Sequence, residues 1–348
     1  MADNRKSAGR VYHRAAKPRK SASRTFGESA DWSDHEGCEA LYTNRLIDLL
    51  RCLRPGQWVK NLLLLAAPFF AFFDKSAHAR CCPTCPWEPI ALQERLGLGI
   101  LAFILLSGAA YVLNDLADLK RDARNPLRKE RPLAARKVSE VAASLLAVGC
   151  LVGGLAAAWQ VGRIGAGGHA FLLIAGAYAL LQPFYTFVAR RLGAELAAMT
   201  VAAGFVLRAL AGAAAIDVPC SGWLLLCVFL GALFVALCKR RAGHFVKGAS
   251  QPPVAEGRIM DLEIVLSAAG VLTCYALYTQ AADTFAKFGT GALIWTLPLV
   301  LFALFRFLRL TYGERTACNP ECAIFRDPVL LADVALWLVL CGLILHRA

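Results

Sequence analysis

Nine times between Gln57 and Leu345 the chain returns to an almost unbroken apolar run of roughly 17–24 residues, the length that crosses a bilayer as a helix. Backbone inside lipid must satisfy its own hydrogen bonds, so such runs can only be helices or closed barrels. Barrel strands alternate apolar and polar residues, and these runs do not. The expected fold is therefore all-α and integral to the membrane, a bundle of nine transmembrane helices. The spans read as Gln57–Phe73, Leu96–Asn114, Val138–Val161, Ala170–Val188, Ala194–Ile216, Ser221–Cys238, Ile264–Ala282, Gly289–Phe305 and Val329–Leu345. Gly153, Gly154, Gly204 and Gly212 within them suit close helix contacts. With 57% hydrophobic and 18% charged residues, a soluble enzyme, a disordered protein and a collagen-like fibre are excluded.

The formal net charge of +13 would suggest nucleic acid in a soluble protein, but here topology explains it. Loops 116–137, 188–193, 239–258 and 306–327 hold 19 Lys and Arg, against 5 in the alternate loops. That bias predicts the first set and the N-terminus in the cytoplasm and the C-terminus outside, in a multi-pass protein of the inner (plasma) membrane. No nucleic-acid partner is needed. Residues 1–50 read as a basic, disordered cytoplasmic tail drawn to anionic lipid, with an organelle transit peptide as the sharper alternative. Residues 51–348 read as one membrane domain, with a Cys-rich insertion near 74–90. There His78, Cys81, Cys82 and Cys85 could hold a soft metal or form a disulfide. Cys318 and Cys322 fall on the other side and cannot share that ion.

The chemistry concentrates at the inner end of the second span. Asn114, Asp118 and Asp122 recur every four residues and would stack on one face of a continuing helix, with Asp115 beside them. Carboxylates at the end of an apolar run are costly and call for a reason. An all-oxygen set of this kind suits Mg²⁺, which takes one or two carboxylates, waters and substrate phosphates. Arg124, Arg128, Lys129 and Arg131 follow at once and offer donors to the remaining phosphate oxygens. The pattern reads as a Mg²⁺–diphosphate site: Asn114, Asp115, Asp118 and Asp122 as metal ligands, with Asp115, Asp118 and Asp122 as the catalytic carboxylates. The bland alternative is a juxtamembrane helix whose acids and bases merely pair.

Candidate substrate-binding residues are Gln57, Lys60, Asn61, Arg128, Arg131, Tyr185, Lys239 and Arg240. In Arg54-Pro-Gly-Gln57-Trp-Val-Lys60-Asn61, the spacing i, i+3, i+4 would project Gln57, Lys60 and Asn61 from one side of a helix. Lys239-Arg240-Arg241 ends the sixth span on the same face. Arg208 lies inside the fifth span, ~25 Å from Arg191 at helical rise. Snorkelling, bonding to helix carbonyls and contact with a ligand are equally open readings for it.

These residues resemble the UbiA-type polyprenyl transferase superfamily, whose first aspartate-rich motif is Asn-Asp-x-x-Asp-x-x-x-Asp, as in Asn114–Asp122. Arg54-Pro55-x-Gln57-Trp58-Val59-Lys60-Asn61, Arg131-Pro132, Gly204-Phe205-Val206-Leu207-Arg208-Ala209, Lys239-Arg240 and Arg326-Asp327 are similar to its phosphoribosyl branch, over roughly residues 51–346. The resemblance implies a nine-helix UbiA-type fold and Mg²⁺-dependent transfer of 5-phosphoribose from phosphoribosyl diphosphate to a decaprenyl-like polyprenyl phosphate. It implies a role in cell-envelope arabinan or pentose glycan synthesis. Membrane lipids are further partners, and a homo-oligomer is compatible with this reading. The sequence departs from the branch at Ala197, where an acid is usual and Glu195 is the nearest, at Gly243, where Glu is usual, and at Arg128, where Lys is usual. Loop 239–258 carries one acid, Glu256, so the second aspartate-rich motif of the aromatic prenyltransferases is not evident. A prenyltransferase of the same fold remains the rival. A transporter fits less well, because transporter sites tend to lie near the midplane.

Overall fold

The computed structural model describes residues 45–74, 89–126, 128–164, 169–243, 253–313 and 327–348. The sites expected at His78, Cys81, Cys82, Cys85, Cys318, Cys322 and Arg326 lie outside them. Every regular element among the described residues is helical. Eight helices are long and apolar enough to cross a membrane: α1 (Ala91–Ala117), α2 (Glu140–Ile164), α3 (Ala170–Leu192), α4 (Ala194–Ala215), α5 (Gly222–Gly243), α6 (Val254–Gln280), α7 (Ala292–Tyr312) and α8 (Pro328–Arg347). They coincide with eight of the nine expected spans, α6 beginning ten residues before the expected Ile264.

The first expected span, Gln57–Phe73, is built differently. Residues Pro55–Leu65 wind as a 3₁₀ helix and Ala66–Phe72 as an α-helix. This leading segment is not among the eight helices of membrane-spanning length, so the ninth span is not established. A 3₁₀ run of this length is unusual, and tertiary contacts hold it. At Gly212 of α4, a Cβ would stand 1.8 Å from the Leu64 carbonyl oxygen. Only glycine lets the backbone of the leading segment lie directly on α4.

Consecutive helices pack beside one another, and α4 belongs to two apolar cores. One joins Leu64 to Phe103 and Leu106 of α1, Val161 of α2, Phe171 of α3 and Ala211 of α4. The other joins Ala198 of α4 to Phe234 of α5, Ile264 of α6, Phe307 of α7 and Leu330 of α8. Half of the most apolar stretch of α4 and 44% of that of α1 are buried, against 17–28% in the other six helices. These two helices are the interior posts of the bundle. The others turn residues such as Val141, Leu145, Leu180 and Leu266 outward, as a lipid-facing surface requires. Gly154 seats α2 against α1: a Cβ there would meet Leu106 at 2.8 Å.

Candidate active site

The polar residues expected to act together converge where α1 leaves the apolar core. The helix does not continue through the ladder. It ends at Ala117, Asp118 takes φ −98° and ψ 3°, and a separate short turn, Leu119–Asp122, follows. The amides of Asp118 and Asp122 still bond back to the carbonyls of Asn114 and Asp118, at 3.0 and 2.8 Å. The four-residue register therefore survives the break. Asp122 ends 1% exposed, covered by the loop that follows.

Each carboxylate is gripped by guanidinium. Arg131 bridges Asp115 at 2.9 Å and Asp122 at 2.6 Å, and Arg128 reaches Asp122 at 3.3 Å. Burial, then the like charge of Arg54, pull Arg131 below the ordinary guanidinium range. Arg54 bonds Asp115 and lies over the Tyr111 ring, 5.1 Å from its centroid. It does so from the left-handed backbone region, φ 52°, immediately before Pro55. That conformation is costly for a non-glycine residue and recurs at functional sites.

Asp118 takes its partners from α3 and its own turn: Arg190 at 2.9 Å to both oxygens, and Arg121 at 2.7 Å. Pro183 removes a helical donor from α3, and the helix widens into a π-turn over Tyr185–Ala189. The turn brings Thr186 to donate to Asn114 Oδ1 at 2.6 Å and places Arg190 on Asp118. Tyr185 begins this turn, its ring 6.0 Å from the Arg190 guanidinium.

The other expected residues are distributed differently. In a 3₁₀ helix residues three apart eclipse, so Gln57 and Lys60 share one edge, where Lys60 Nζ donates to Gln57 Oε1 at 3.4 Å. Asn61 is turned away from them and is 1% exposed. The common face expected for Gln57, Lys60 and Asn61 presumed an α-helix, and the 3₁₀ winding overturns it. Asn61 instead accepts from Arg208 Nε at 2.9 Å and donates to Ser107 Oγ at 3.4 Å. Lys239 and Arg240 end α5, where Arg240 is held by Glu195 at 3.1 Å and Glu256 at 3.4 Å. The lone acid of loop 239–258 is thus engaged with an arginine. A Cβ at Gly243 would meet nothing within 4 Å.

Sequence reasoning did not single out Arg190, Thr186 or Tyr111. Tyr111 was readable: Ser107, Tyr111 and Asp115 form a second row of four-residue spacing along α1, beside the Asn114–Asp122 ladder. Among the described residues no three Asp, Glu, His or Cys side chains form a ready metal cage. The donors Asn114, Asp115, Asp118 and Asp122 are nevertheless all oxygen, and one or two carboxylates suffice for a Mg²⁺ that brings phosphate ligands with it.

Apolar helices of membrane-spanning length, with carboxylates and guanidiniums gathered where α1 leaves the apolar core, define a multi-pass membrane protein with a polar site. Residues 87–325 match the model of the UbiA prenyltransferase family, and the chain belongs to that family. It is similar to a decaprenyl-phosphate phosphoribosyltransferase of Mycobacterium tuberculosis, 29% identical over 307 residues, which are 86% of this chain and 94% of the relative. A protein of the same name from Corynebacterium glutamicum is 32% identical over 194 residues, 56% of this chain and 54% of the relative. Among solved structures, a UbiA homolog from Archaeoglobus fulgidus bound to GPP and Mg²⁺ superposes with a TM-score of 0.61 at 18% identity, covering 86% of this chain and 99% of that one.

Proposed function

We propose that the chain is a Mg²⁺-dependent phosphoribosyltransferase that moves 5-phosphoribose from phosphoribosyl diphosphate to a decaprenyl-like polyprenyl phosphate. The product is a pentose donor for cell-envelope glycan. The observation that carries this reading is the mouth itself: Arg54, Arg121, Arg128, Arg131 and Arg190 surround Asp115, Asp118 and Asp122. The similarity to phosphoribosyltransferases along most of the chain supports it. The mouth faces the cytoplasm, where the lysine and arginine bias puts it and where phosphoribosyl diphosphate would be met.

In the reaction the bond between the anomeric carbon and diphosphate breaks, and an oxygen of the lipid phosphate bonds to that carbon. Asn114, Asp115, Asp118 and Asp122 would hold Mg²⁺, which would supply positive charge to the diphosphate oxygens. Arg54, Arg128, Arg131 and Arg190 exchange carboxylate for diphosphate oxygens and stabilise the leaving group as its charge grows. The attacking phosphate is already anionic near neutral pH, so no strong base is needed, which suits a chain with no obvious His-based catalytic pair.

The second reading is prenyl transfer from a prenyl diphosphate, favoured by the family description and by the GPP-bound homolog. The single acid of loop 239–258 weighs against it: Glu256 pairs with Arg240, as does Glu195. Purified protein incubated with Mg²⁺, labelled phosphoribosyl diphosphate and polyprenyl phosphate separates the two. A labelled lipid is expected. Turnover of prenyl diphosphate with no labelled phosphoribosyl lipid would reverse the assignment.

A further inference from the structure

Arg208 stands apart from the mouth, in the membrane-embedded middle of α4, and is 5% exposed. Each nitrogen of its guanidinium donates to a neutral group. Nε donates to Asn61 Oδ1 at 2.9 Å, Nη1 to the Gly204 carbonyl at 3.1 Å and Nη2 to the Tyr178 hydroxyl at 2.7 Å. The Tyr178 and Phe205 rings lie 4.7 and 5.2 Å from it. A charge buried this way is expensive, and well-packed apolar side chains often do as well for stability alone. Its use must lie in the geometry it imposes.

That geometry concerns the leading segment. Asn61 and Leu64 are the buried residues of the 3₁₀ helix. Asn61 reaches Arg208, while the Leu64 carbonyl lies where a Gly212 Cβ would be. At three residues per turn, positions 61 and 64 lie on one line and both contacts form together. In an α-helix they would be turned about 60° apart, and one contact would be lost. The segment is fixed to α1 as well, by Arg54 on Asp115 and Asn61 on Ser107.

We propose that Arg208 is a positioning residue: by holding Asn61 it keeps the leading segment in its 3₁₀ winding, and so keeps Arg54 on Asp115 and the Gln57–Lys60 pair on its own edge. The catalytic consequence rests on the phosphoribosyl reading, but the winding does not.

The test compares Arg208→Met, Asn61→Leu and the double variant by melting, by hydrogen exchange of peptides covering 55–65, and by turnover. Each single variant strands a buried polar partner and should melt earlier. The double variant removes both polar groups and leaves the Tyr178 hydroxyl without its donor, so its melting should return part of the way towards that of the parent. Exchange at 55–65 should nevertheless stay about tenfold faster, and turnover about 10²-fold lower, as displaced catalytic groups predict. A double variant with parental exchange and turnover would show that the two groups only satisfy each other, and would overturn the proposal. Should the methionine variants fail to fold, Arg208→Lys keeps the charge and loses the fork. Parental exchange at 55–65 in that variant would overturn the proposal equally. If the parent protein makes no phosphoribosyl lipid while exchange responds as described, the substrate assignment fails and the role of Arg208 stands.

Discussion

The contact between Gly212 and Leu64 gives the most demanding test of the structure. Gly212→Ala adds one methyl group to α4, and in most helix interiors that change is favourable by about 1 kcal/mol. Here the new carbon would stand 1.8 Å from the Leu64 oxygen, 2.7 Å from its carbon and 3.0 Å from its Cα. All three atoms are backbone, so no rotamer change relieves the clash. Restoring a separation near 3.0 Å moves the leading segment by about 1.2 Å, an overpacking strain at the upper end of ~1–3 kcal/mol. Set against the propensity gain, the net loss is about 2 kcal/mol, a melting point lower by roughly 3 °C in a chain of 348 residues. The same shift carries Arg54 and Lys60 with it, and a displacement of about 1 Å among catalytic groups can cost ~10²-fold in turnover. The assay is thermal unfolding in detergent, paired with formation of labelled lipid. Gly149→Ala and Gly176→Ala are the controls, for a Cβ at either meets nothing within 4 Å, and both should be neutral or stabilising. If Gly212→Ala melts and turns over like these controls, the leading segment does not lie on α4 as described.

Other perturbations address the mouth and the helix ends. Asp118→Ala should abolish Mg²⁺-dependent turnover with little change in melting; retained turnover would make the ladder structural. Deleting Val188 should restore regular α-helix through the π-turn and swing Arg190 about 100° from Asp118, so that the deletion and Arg190→Ala lower turnover to a similar level. Full activity in the deletion would remove the π-turn from the mechanism. Asp327 caps the Leu330 amide at 2.8 Å and pairs with Arg306 at 2.6 Å, and these bonds hold its carboxyl below the ordinary range. Its contribution should be complete above about pH 4, the unfolded Asp value, and fade as pH falls through the lower folded value. The melting difference between the parent and Asp327→Asn should therefore shrink on acidification; a difference that grew as pH fell would contradict the sign.

The apolar runs announced α1 to α8 because hydropathy over about 20 residues reports burial in lipid whatever the tertiary detail. The Asn114–Asp122 ladder was legible because it is local: backbone bonds keep its four-residue register across the break at Asp118, although the continuous helix expected there is not formed. Arg190 was not: its meeting with Asp118 spans 72 residues and depends on a π-turn that hydropathy cannot reveal. The leading segment misled for a related reason. An apolar run does not state its rise per residue, so Asn61 was grouped with Gln57 and Lys60 when the 3₁₀ winding turns it inward. Arg208 was visible as an anomaly, but Tyr178 and Asn61, its partners, lie on other elements.

The count of charges at the mouth bears on the pace of the reaction as well as on its chemistry. Five guanidiniums meet three carboxylates there. Under the proposed reaction, a mouth so rich in donors grips the released diphosphate much as it grips the donor substrate. Free diphosphate then competes with the donor for the same arginines. Such an enzyme works fastest where another activity hydrolyses diphosphate as it appears, and its rate in a membrane reports on that clearance.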